Sequence, residues 1–116
     1  TQAASGLHVA KLLADWGMTE EINAKAKLGR GIPVAEYLVT GEADIALQQL
    51  CEHMLVKGVD VVGPVPDEIQ RVSTMSVALG SKGQNPAGAK ALVAWLSAPA
   101  VHPVLKRHGL FALHEV

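Results

Sequence analysis

With 116 residues, 49% of them apolar, and a formal charge of -1 at pH 7, the chain is one domain's worth of polypeptide with material for a core. That balance gives no electrostatic reason to invoke nucleic acid or a membrane surface, and no run of about 18 apolar residues exists to span a bilayer. Two Trp, one Tyr and one Phe leave a core of Ala, Val, Leu and Ile, which suits helices on a parallel sheet better than a β-sandwich. Cys51 is single, so no internal disulfide forms, and this fits a cytosolic or a periplasmic protein equally. The chain begins at Thr1, which points either to a removed leader or to part of a longer chain.

Residues 1–5 are a small, polar lead-in. Apolar residues at 9, 12, 13 and 16 then predict a helix over 6–16, with Ser5 as its N-cap and Gly17 as its stop. Thr19 caps a further short turn, Thr19-Glu20-Glu21-Ile22. Alternation in Ala24-Lys25-Ala26-Lys27-Leu28 predicts a short strand running into Gly29-Arg30-Gly31. Spacing becomes helical again with Val34, Tyr37 and Leu38 on one side, Pro33 in the first turn and Gly41 as the stop. Residues 43–47 are nearly continuous apolar chain, as a strand covered on both faces would be. Residues 50–56 form another helical turn, broken at Lys57-Gly58. A strand is expected at 59–63, closed by the loop 64–68, and an extended one at 72–79.

The last third carries the clearest helical signal. Asn85 caps a helix that Pro86 opens, and Ala89, Leu92, Val93 and Leu96 form its stripe. Ser97-Ala98-Pro99 interrupts it. A second helix runs to about His108, with Pro103 at its start, His102 near its cap, Val101, Val104 and Leu105 inward, and Gly109 as its stop. There is no internal repeat and no low-complexity tract. The whole is organised around residues 29–49, a glycine-rich turn, short helix, turn and strand. In such a unit the turn opening the helix presents free backbone N–H groups, and the next strand ends on the same sheet edge.

The order of Ser5-Gly6-Leu7-His8, Gly41-Glu42-Ala43-Asp44-Ile45-Ala46, Lys57-Gly58-Val59-Asp60-Val61-Val62-Gly63-Pro64-Val65-Pro66-Asp67, Ser97-Ala98-Pro99 and Lys106-Arg107-His108-Gly109-Leu110-Phe111 resembles the molybdate-binding type of bacterial extracellular solute-binding protein. The resemblance covers essentially the whole chain. It implies an α/β fold, a three-layer sandwich lobe of the type 2 periplasmic binding fold with a mostly parallel sheet flanked by helices. Only the second lobe and the C-terminal segment that returns to the first would be present. On this reading residues 1–80 are the ligand-binding lobe, and 81–116 a helical segment that packs on the missing first lobe or on a partner chain. Bare apolar stripes on that segment would exceed what monomers tolerate, so a homodimer, a domain swap or a cut from a longer chain is expected.

The resemblance also implies a small anion held by backbone N–H and hydroxyl groups, and the matching places are Ser5 with Gly6 and Arg30 with Gly31. Helix starts supply such donors and a partial positive charge. Ser5 reads equally as an ordinary N-cap, and Gly29-Arg30-Gly31 as a plain turn with an exposed arginine. Where the family's tyrosine reaches the anion, this sequence has Gln48 or Gln49, of which Gln49 is the better placed. An amide offers two donors and one acceptor where a phenol offers one of each, which favours an organic carboxylate paired with Arg30 over a metal oxyanion. The alternative is that both glutamines end a strand in solvent.

His8, His53, His102, His108 and His114 show no metal-ligand spacing, so neither a metal nor a cofactor is expected. Cys51 reads as a small buried hydrophobe, Trp16 and Trp95 as core, and Glu36 with Glu42 as solvated rather than a catalytic pair. The implied function is the periplasmic, non-enzymatic substrate-binding component of an ABC-type transport system, which hands a small anion from an interlobe cleft to the permease. A second reading is an isomerase of the aconitate isomerase type on the same fold, with Glu52 and His53 as candidate bases. A third is an assembly module without ligand chemistry.

Overall fold

In the computed structural model, which describes residues 3–113, every regular element among those residues is helical. Helix α1 spans Ala4–Asp15, α2 Thr19–Asn23, α3 Glu36–Val39, α4 Leu50–His53, α5 Pro86–Leu96 and α6 His102–Arg107, with a 3-10 turn at Pro99–Val101. The chain divides into two units, Thr1–Val72 and Ser73–Val116.

In the first unit, α1 starts upstream of the expected cap. Ala3 occupies the capping position without a side-chain bond, and Ser5 lies within the first turn. The reason is local: the Ala3 carbonyl already accepts from Leu7 N–H at 3.1 Å, and alanine is the best helix former, so the helix extends past Ser5. Thr19 is likewise the first residue of α2, with Met18 in the capping position. The stop of α1 is as expected. Gly17 has φ +69°, its N–H donates to Ala14 O at 3.1 Å, and Met18 N–H donates to Leu13 O at 2.8 Å. This is the paired bonding of a Schellman motif, which needs a left-handed residue. The same pair recurs after α3, where Gly41 N–H donates to Leu38 O and Glu42 N–H to Tyr37 O. It recurs after α6, where Gly109 N–H donates to Lys106 O and Leu110 N–H to Leu105 O.

The expected α/β sandwich with its mostly parallel sheet is overturned: no described residue belongs to a strand. Residues 24–26 instead continue the turn of α2, with Ala24 N–H bonded to Glu20 O and Ala26 N–H to Ile22 O. Segments 43–47, 59–63 and 72–79 have no ladder, and most of their larger apolar side chains are exposed, Ile45 at 80% and Val62 at 103%, while Ala43, Ala46 and Val59 are half-buried. An apolar run is necessary for a buried strand but not sufficient, because its hydrogen bonds must come from a neighbouring strand.

In the second unit, α5 begins as its sequence predicts. Asn85 Oδ1 accepts from Gly88 N–H at 2.8 Å and Pro86 is the first helical residue. Such a cap is worth about 1 kcal/mol. Ser97 ends the helix, its hydroxyl donating to Val93 O at 2.9 Å. His102 opens α6 with Pro103 second, and Val101 just before it is buried.

Burial is sparse everywhere. Among the described residues only Ala35 and Val101 are buried apolar side chains, and Trp16 and Trp95, expected in a core, are 52% and 61% exposed.

Candidate functional site

The best-defined polar arrangement surrounds Gly29-Arg30-Gly31. A Cβ on Gly29 would lie 2.8 Å from Val34 Cγ1 and 2.9 Å from Ile32 O, so only glycine fits as the chain doubles back. Gly31 has φ +85° with open space beside it. The approach to the turn, Lys27 and Leu28, is held from α3 and from the turn that follows it. Tyr37 O–H donates to Leu28 O at 3.1 Å, and Lys27 Nζ donates to Glu42 Oε2 at 2.7 Å. Thr40 O–H donates to the other oxygen of Glu42 at 3.0 Å, and Lys27 Nζ sits 5.8 Å from the centre of the Tyr37 ring. The Schellman turn at Gly41 is what brings Glu42 back toward Lys27.

This bracket has a defined pH window. The hydrogen bond to Glu42, then its charge, raises the Lys27 ammonium above its ordinary 10.5; the bonds from Lys27 and Thr40 lower the Glu42 carboxyl below its ordinary 4.5. For a lowered carboxylate the contribution is present above the unfolded value and lost as pH falls through the folded one. For a raised ammonium it is present below the unfolded value and lost as pH rises through the folded one. The bracket is therefore complete between about pH 4.5 and 10.5 and opens outside both limits. The backbone mobility of Arg30 and Gly31, followed by nitrogen-15 relaxation, is expected to increase on acidification below that window. Because both partners are exposed, added salt should produce part of the same effect within it. Backbone mobility at Arg30 and Gly31 that is indifferent to salt and to Glu42→Gln would show that the bracket does not hold this turn.

Arg30 at the tip is exposed, and among the described residues its guanidinium makes no hydrogen bond or ion pair. The N–H groups of Arg30 and Gly31 have no acceptor among the described residues either. Ser5 and Gly6 lie in the first turn of α1, where the first intrahelical bond is Leu7 N–H to Ala3 O, so their N–H groups stay available. Gln49 occupies the capping position of α4. Its carbonyl accepts from Glu52 N–H at 3.0 Å and His53 N–H at 3.3 Å, while its own N–H donates to Gln48 Oε1 at 2.9 Å. That bond occupies the Gln48 carbonyl and leaves its NH₂ and the whole Gln49 amide for other partners. Both glutamines, with Glu52 and His53 behind them, are half-buried.

All six expected ligand residues therefore fall in the first unit, as three adjacent pairs, each with unused donors. Among the described residues no hydrogen bond joins one pair to another. Lys27, Tyr37, Thr40 and Glu42 escaped the sequence reading, which placed Lys27 in a strand and Glu42 in solvent. The legible signal was an opposite charge on each side of a glycine turn and short helix. His8 Nε2–H donates to Ile69 O at 2.8 Å, Cys51 is a half-buried thiol, and His114 lies outside the described residues. No group of three or more His, Cys, Asp or Glu among the described residues is placed to hold a metal ion.

The bacterial extracellular solute-binding protein family matches residues 1–111. The chain belongs to this family. The family expected from the order of the sequence motifs is thus the family found, although the sheet expected with it is not present. An aconitate isomerase from Pseudomonas sp. is 32% identical over 111 residues, which cover 95% of this chain and 42% of the isomerase. The chain thus spans less than half the length of that relative. No solved structure matches it. No helix among the described residues is long and apolar enough to cross a membrane.

Proposed function

We propose that this solute-binding chain takes a small organic carboxylate at the Gly29-Arg30-Gly31 turn, as part of the periplasmic substrate-binding component of an ABC-type transport system. The observation that supports this reading is a guanidinium without a partner among the described residues, at the tip of a turn held on its approach, next to two open N–H groups. Arg30 offers a planar fork to a carboxylate, and Gly31 lets the backbone approach it closely. Ser5 with Gly6 adds donors at a helix start, and Gln48 with Gln49 adds amides. Residues 1–80 carry these ligand groups, and 81–116 pack on another surface, either elsewhere in a longer protein or on a second chain. Ligand capture works by shifting the population of a closed state, from which a permease receives the anion.

Three or four charge-assisted bonds of about 1.5–3 kcal/mol each must exceed an association cost of at least roughly 4 kcal/mol, so this chain by itself should bind at about millimolar strength. A thermal-shift and NMR titration with molybdate, sulfate, citrate and cis- and trans-aconitate tests this. A carboxylate that raises the melting temperature and shifts Arg30 and Gly31 is the expected result; a response to the oxyanions alone, or none, overturns it.

A second reading rests on the similarity to an aconitate isomerase. Here Glu52 or His53 would move a proton on an unsaturated tricarboxylate held by the neighbouring Gln49 amide. Deuterium incorporation into aconitate that Glu52→Gln or His53→Gln abolishes is the outcome this reading requires.

A further inference from the structure

We draw no further inference here: the strongest candidate, the apolar groove of the second unit that Met75 lines together with Leu96, Leu105 and Phe111, carries nothing because nothing in the structure shows what covers it.

Discussion

Arg30→Ala should weaken carboxylate binding by about 10- to 150-fold, with no loss of helicity. The estimate follows from a charge-assisted bond worth about 1.5–3 kcal/mol, at 1.4 kcal/mol per factor of ten. No partner of Arg30 among the described residues is lost by the truncation, so the change is confined to the ligand. Arg30→Lys should fall between the two, since it keeps the charge but loses the two parallel N–H groups that match a carboxylate. An NMR titration of the three proteins with citrate measures it. Equal affinities across the series would move the anion away from this turn and leave the first turn of α1 and the Gln48-Gln49 pair as its remaining donors.

Gly29→Ala should be as damaging by a different route. Its Cβ would meet Val34 Cγ1, which can swing aside, and the carbonyl oxygen of Ile32, which cannot move without the backbone. Overpacking of this kind costs about 1–3 kcal/mol, and here the turn itself is the softest part. It should open, pulling Leu28 O away from the Tyr37 hydroxyl and lowering both the melting temperature and the carboxylate affinity. Gly31→Ala is the informative control, because that site has open space and only the positive φ opposes a side chain, about 1–2 kcal/mol. If Gly29→Ala binds and melts like the parent, the turn is not built as tightly as the distances imply.

What was legible in the sequence was what a few neighbouring residues decide. Gly17, Gly41 and Gly109 were readable as stops because a Schellman motif is closed within six residues. Asn85 and Pro86 were readable for the same reason. Ser5 misled because a good capping side chain does not prevent two alanines from starting the helix earlier. The strands were illegible in principle: Ile45 and Val62 show the right apolar character, but whether a neighbour exists is not written in the segment itself. At the candidate site, Arg30 and Gly31 were found through local turn chemistry and family likeness. The residues that hold the turn, Lys27 and Glu42, are 15 apart, and their pairing depends on a turn angle that spacing does not encode.

The bond between the His8 imidazole and the Ile69 carbonyl joins residues 61 positions apart in the first unit. Closing a ring of that size costs roughly 3.6 kcal/mol of chain entropy beyond a constant, against about 1 kcal/mol returned by one hydrogen bond. The imidazole is therefore not a latch. It can engage only after other contacts have drawn the ends of the ring together, which makes it a late and dependent event in assembly. A nitrogen-15 signal from that one ring would report on the closure of everything between residues 8 and 69, and it would be the first to change if ligand binding loosened or tightened the unit.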